Sequence, residues 1–226
     1  MATKQTKKST PSKTSQKPKT SKRLSTTTKQ TATAQKTLHH VAFVIDRSSS
    51  MTDIAARVVA MLQARLDALR TRSAASSALV SLFTFHSRVD APRFLSARAS
   101  RRRTLAPLRC TGLTALDDAI GTAITTLLDQ PQAQRAGVFF DVIVLTDGYE
   151  NSSRIFKKTL PRLVKRVTRT GHWRFTVFTP KGGVKRLEEL GIDAAHLGVW
   201  EPTAKGVADV GRAIDRVFVD VFGESA

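Results

Sequence analysis

A chain of 226 residues with 37 Lys and Arg against 18 Asp and Glu carries a net charge of +19, which favours acidic partners. A single cysteine excludes an internal disulfide and a cysteine-built zinc cluster. No apolar stretch reads as a signal peptide or is long enough to span a membrane. The expected protein is soluble and intracellular: cytoplasmic, or nuclear if the host is eukaryotic.

Residues 1–38 hold 10 Lys and Arg, 16 Ser and Thr and no acidic residue, with almost no large apolar side chain. Such a segment buries too little surface to offset its ordering entropy, so a disordered basic tail is expected. It carries about half the net charge, leaving +9 on the rest. The plain role is a solubilising tail that meets polyanions or nucleic acid without specificity. Lys17-Pro18-Lys19-Thr20-Ser21-Lys22-Arg23 is similar to a nuclear-import signal. Ala2-Thr3-Lys4-Gln5-Thr6-Lys7-Lys8-Ser9-Thr10 weakly resembles the start of a histone H3 tail.

From residue 39 to 222 strands and helices alternate. Residues 40–46 form a continuous apolar run ending at Asp46, the pattern of a strand covered on both faces. A helix follows, with Ile54, Val58, Met61, Leu62, Leu66 and Leu69 on one stripe and Ser50 or Thr52 as its cap. Residues 79–85 read as a strand, 116–128 as a helix and 139–146 as a second apolar strand. A turn from Ser153 leads to a helix from about Thr159 to Arg169, because Pro161 interrupts any earlier start. Strands at 173–179 and 196–199, a short helix at 184–190 and a last helix at 207–222 complete the set. Residues 223–226 are a C-terminal end. The fold class is α/β: a Rossmann-like, open, mostly parallel sheet with helices on both faces. Ligands of such sheets bind beyond the carboxyl ends of the strands.

Three segments carry the chemistry: Asp46-Arg47-Ser48-Ser49-Ser50, Gly112-Leu113-Thr114 and Leu145-Thr146-Asp147-Gly148. Each offers hard oxygen donors beside a strand end or helix start. Two carboxylates and three hydroxyls suit Mg²⁺ or Mn²⁺. So small a negative charge would leave the ion electrophilic and open to a ligand from another molecule.

These segments resemble the von Willebrand factor type A domain, in the compact single-domain group common in bacteria and phages. Its metal-ion-dependent adhesion site uses D-x-S-x-S, a distant Thr and a distant Asp. Asp46, Ser48 and Ser50 match the first part, Thr114 the second and Asp147 the third. The resemblance extends through Thr114-Ala115-Leu116-Asp117-Asp118-Ala119-Ile120 and Thr146-Asp147-Gly148-Tyr149-Glu150-Asn151-Ser152, and covers roughly residues 38–222. It implies that Ser48, Ser50 and Thr114 touch the metal, that Asp46 and Asp147 act through water or by orienting hydroxyls, and that the partner is a protein presenting Asp or Glu. Two positions depart from the family: Ser49 stands where glycine is usual, and Pro180-Lys181-Gly182-Gly183 replaces a small-residue loop. A left-handed Ser49 would cost roughly 1 kcal/mol.

Enzyme readings lack their parts. There is no phosphate-binding glycine loop, no dinucleotide fingerprint and no nucleophile turn. His86, His172 and His196 lie on separate elements, and adjacent His39 and His40 point to opposite faces of a strand. No enzyme is expected. Arg98, Arg101, Arg102, Arg103 and Arg109 lead into Gly112, and Arg47 lies within the first segment, so a positive rim is expected beside the site. A stripe of Arg154, Lys158, Arg162, Lys165 and Arg169 reads as a solvated helix face. The alternative function is a basic, nucleic-acid-associated protein, nuclear or chromatin-directed, that uses the tail and the arginine loop. No membrane insertion is expected.

Overall fold

The computed structural model describes residues 37–71, 78–96 and 104–223. Its strands are β1 (Leu38–Asp46), β2 (Leu79–Phe85), β3 (Arg93–Ser96), β4 (Val138–Leu145), β5 (Trp173–Thr179) and β6 (Leu197–Val199). The helices are α1 (Ala55–Thr71), α2 (Leu116–Leu128), α3 (Leu160–Thr168), α4 (Val184–Glu189) and α5 (Ala204–Phe222). The sheet runs β3-β2-β1-β4-β5-β6, parallel except for β3, which pairs antiparallel with β2.

β1 and β4 lie at the centre and are mostly apolar because both their faces are covered, with His39, His40 and Asp46 in β1 and Asp141 in β4 as the polar exceptions. Val41, Phe43 and Ile45 meet α1 and α5 on one side, with Val58, Leu62, Val210 and Phe218. Ala42 and Val44 meet α2, α3 and α4 on the other, with Ile120, Ile124, Val164 and Leu187. Adjacent histidines separate as alternation requires. His39 Nδ1 lies 2.9 Å from Asp141 Oδ2, while buried His40 meets the Ser81 hydroxyl at 3.2 Å.

Most expected elements appear within two or three residues of their expected ends, and three features differ. β3 was not foreseen. Its four residues, with Phe94 exposed, carry too little pattern to mark a strand. The helix after β1 opens with a tight 3-10 turn, Ser49–Ile54, and neither Ser50 nor Thr52 caps α1. Thr52 Oγ1 instead donates back to the Ser49 carbonyl, and Ser50 Oγ donates to Asp147. Ser49 sits within that right-handed turn, so the expected left-handed strain does not arise.

The tail with its import-like and histone-like runs (residues 1–36), and Arg98 and Arg101–103, lie outside the described residues. Among the described residues no helix is long and apolar enough to cross a membrane.

Candidate functional site

β1 and β4 run in register, Ile45 beside Leu145, so their ends deliver Asp46 and Thr146 side by side at the carboxyl edge of the sheet. Asp46 is wholly buried. Its Oδ1 accepts the Ser48 amide at 2.7 Å, and its Oδ2 accepts the Thr146 hydroxyl at 2.6 Å. Both oxygens are thus engaged within the protein, and the carboxylate fixes the loop that follows.

That loop turns Ser48 Oγ to within 3.2 Å of Ser50 Oγ, and Ser50 Oγ donates to Asp147 Oδ1 at 2.8 Å. Two of the three remote segments are therefore joined side chain to side chain. The Gly112 segment is joined to the first by backbone, through Ser49 N to Gly112 O at 3.1 Å and Thr111 N to Arg47 O at 2.9 Å. Gly112 has a φ of 72°, and a Cβ there would stand 2.6 Å from Ser87 Oγ, so only glycine fits.

Thr114 is buried, and its backbone is clamped by Asn151. Thr114 N donates to Asn151 Oδ1 at 2.9 Å, and Asn151 N donates to Thr114 O at 3.0 Å. Its hydroxyl comes against Gly148, where a Cβ would lie 2.9 Å from Thr114 Oγ1. The structure thus links Asp46, Ser48, Ser50 and Asp147 by hydrogen bonds and seats Thr114 against the residue after Asp147.

Burial pushes both carboxyl groups above their ordinary range. For Asp46, bonds from Thr146 and Ser48 pull the other way, and for Asp147 the bond from Ser50 does. Half-exposed Cys110 is raised first by burial, then by the negative charges of Asp46 and Asp147.

The expected positive rim needs correcting at Arg47. Its guanidinium forks onto Asp90, Nε to Oδ2 and Nη2 to Oδ1, both at 2.7 Å, and Nη1 donates to the Arg109 carbonyl. The charge is spent inside the protein because Asp90, itself held by Thr84, lies in reach. Arg109 does remain exposed.

A supporting network had no sequence signal beyond its place in the two long matching segments. Asp118 Oδ1 accepts the amides of Ile155 and Phe156, and Oδ2 accepts that of Arg154. Glu150 accepts from Asp117 N, Ser152 N, Ser153 N and Ser153 Oγ. Asp117 is fully buried against Arg186 of α4; burial, then Glu150, raises it to about 6. Together these bonds lock the start of α2, and so Thr114, to the loop after β4. Thr146, the partner of Asp46, is the site residue that sequence reasoning missed.

Among the described residues no three His, Cys, Asp or Glu side chains gather as a metal-binding group. The hydroxyl-rich cluster is a different donor set. With two carboxylates whose charged forms are disfavoured by burial and three hydroxyls, it has the composition that suits a hard divalent ion. Such an ion would offset the desolvation that raises both carboxyl groups.

The sequence model of the von Willebrand factor type A domain matches residues 40–203. No curated protein matches the chain. Among solved structures, it is similar to the open form of the pilus adhesin SpaC from Lactobacillus rhamnosus GG, with TM-score 0.62 and 14% identity, covering 82% of this chain and 30% of that one. It is similar to the vWF domain of the type V pili tip protein Mfa5 from Porphyromonas gingivalis, with TM-score 0.53 and 13% identity over 81% of this chain and 97% of that one. Proximal thread matrix protein 1 from the mussel byssus gives TM-score 0.56 and 16% identity, with 80% and 46% covered. At these identities the likeness is one of fold. This chain spans less than half of SpaC and of the mussel protein.

Proposed function

The chain belongs to the von Willebrand factor type A domain family, and on that footing we propose that it is a metal-dependent protein-binding module, capturing a partner's Asp or Glu carboxylate at a Mg²⁺- or Mn²⁺-type site. Ser48, Ser50 and Thr114 would hold the ion, with Asp46 and Asp147 orienting hydroxyls and ordered water. Once bound, the ion supplies an electrophilic position that a partner carboxylate completes.

The observation that carries this reading is the bonded run from Ser48 Oγ through Ser50 Oγ to Asp147 Oδ1, which unites side chains 97 residues apart in the chain. Asp46, with both oxygens engaged, orients and does not need to ligate. Around this cluster Leu113 and Tyr149 stand exposed on the site loops, giving a partner apolar surface beside the carboxylate. SpaC is a pilus adhesin, and the extension of adhesion to this chain rests on the shared fold and this cluster.

The test is capture on immobilised peptides presenting a single Asp or Glu, with Mg²⁺ or with EDTA, for the wild type and Asp147→Ala. Capture should require Mg²⁺ and disappear in the variant. Capture that ignores EDTA and survives Asp147→Ala would refute the reading.

A further inference from the structure

Residues 151–187 contain 11 Lys and Arg and no Asp or Glu. Two of these charges are neutralised locally, Arg174 by Asp141 and Arg186 by Asp117. On α3 and its C-cap, Arg162, Lys165, Arg166 and Arg169 are all exposed, and so are Arg154, Lys157 and Lys158 before it. None of the seven side chains pairs with a carboxylate among the described residues.

The helix makes this a single face. At about 100° per residue, Arg162, Lys165, Arg166 and Arg169 fall within an arc of about 100°. Leu160, Val164 and Val167 lie on the opposite, buried side. Arg162 with Arg166, and Lys165 with Arg169, are like charges one turn apart, an arrangement that opposes helix formation. α1 and α5 place carboxylates beside their cations, Asp67 against Arg70 and Asp209 against Lys205 and Arg212, whereas α3 contains no acidic residue. Attraction to the carboxyl end of the helix accounts for cations in its last turn. It does not account for Arg154, Lys157, Lys158 or Arg162.

We propose that the exposed basic face of α3 and the turn before it docks the phosphate backbone of a nucleic-acid duplex, without sequence preference. The stretch from residue 162 to 169 is about 10 Å long, a length over which duplex DNA presents about six phosphate charges. An acidic protein fits less well, because protein interfaces need apolar anchors at their centre. Here Ile155 is the exposed large apolar side chain adjoining the face among the described residues. Single strands want aromatic platforms, and the face has none. The surface uses none of the Ser48–Asp147 cluster, so it stands or falls independently of the metal reading.

The experiment is fluorescence anisotropy of the full chain, in EDTA, with a mixed-sequence DNA duplex of about 20 base pairs between roughly 50 and 200 mM salt. The combined variant Arg162→Gln/Lys165→Gln/Arg166→Gln/Arg169→Gln should reduce the slope of log affinity on log salt by about 3 to 4, near 0.9 per lost phosphate contact. A control changing Lys4, Lys7, Lys8 and Lys13 to Gln should leave that α3 share in place. A slope within about one of the wild type in the α3 variant would overturn the proposal. Acetylation footprinting of the unmutated chain guards against a folding defect. Duplex should protect Lys157, Lys158 and Lys165, and polyglutamate of equal charge should not. Protection confined to residues 1–38, or equal protection by polyglutamate, would also overturn it.

Discussion

Thr146→Val removes one buried hydroxyl at almost constant volume and isolates what that hydroxyl does for Asp46. The bond from Thr146 Oγ1 to Asp46 Oδ2 is 2.6 Å long and lies wholly inside the protein. A bond of this kind to a charged acceptor is worth about 1.5–3 kcal/mol. In a domain of this size that corresponds to a fall in Tm of roughly 4–10 °C. The pH dependence supplies the sharper test. Asp46 is raised above 3.8 by burial, and Thr146 is the strongest influence holding it down. With the hydroxyl gone its pKa rises further, so the folded state binds protons more readily than the unfolded one. Stability then drops as pH climbs from the unfolded value through the raised folded value, more steeply in the variant. Thermal unfolding in EDTA should therefore show a large gap between wild type and Thr146→Val at pH 7.5 and a smaller one near pH 3.5. An equal gap at both values, or none at pH 7.5, would refute the role given to Thr146.

Gly148→Ala would place a methyl 2.9 Å from Thr114 Oγ1, whose backbone Asn151 prevents from retreating. Mg²⁺ affinity by calorimetry should fall about 10–100-fold, as for other residues that orient ligands, with the fold intact by circular dichroism. Asp118→Ala strips the acceptor from the amides of Arg154, Ile155 and Phe156, and should cost about 3 kcal/mol or more in urea unfolding. His40 and Asp117 act on stability with opposite sign. Burial lowers His40 from 6.5 to about 4, so its contribution is lost as pH falls through that window. Asp117 is raised from 3.8 to about 6, so its contribution is lost as pH rises across nearly the same window. Each is worth on the order of 3 kcal/mol across its window. Urea midpoints between pH 4 and 6.5 should rise with pH more steeply than wild type in Asp117→Asn and less steeply in His40→Leu. Parallel profiles for the three proteins would contradict this.

What the sequence made legible follows from covering and periodicity. β1 and β4 read as apolar runs because helices cover both their faces, although Asp141 interrupts β4 and is paired with His39 and Arg174, and α2 and α5 show their buried stripes at helical spacing. β3 escaped notice because an edge strand of four residues, bonded on one side, needs little apolar pattern. At the site, the donors were readable as residue types at strand ends, since ligand chemistry restricts which residues serve. Their connectors were not. Whether Asp118 accepts three amides or sits in solvent depends on how one loop folds over one helix start, and no spacing encodes that. Arg47 misled for the same reason: a guanidinium beside a site reads as rim charge until the position of Asp90 is known.

Manganese EPR on the full chain tests most directly whether oxygens from three remote segments share one divalent ion. The account predicts one Mn²⁺ bound per chain, competed by Mg²⁺ and lost in both Ser50→Ala and Thr114→Ala, with added acetate perturbing the bound spectrum. Absence of binding by the wild type, or undiminished binding by both variants, would contradict it.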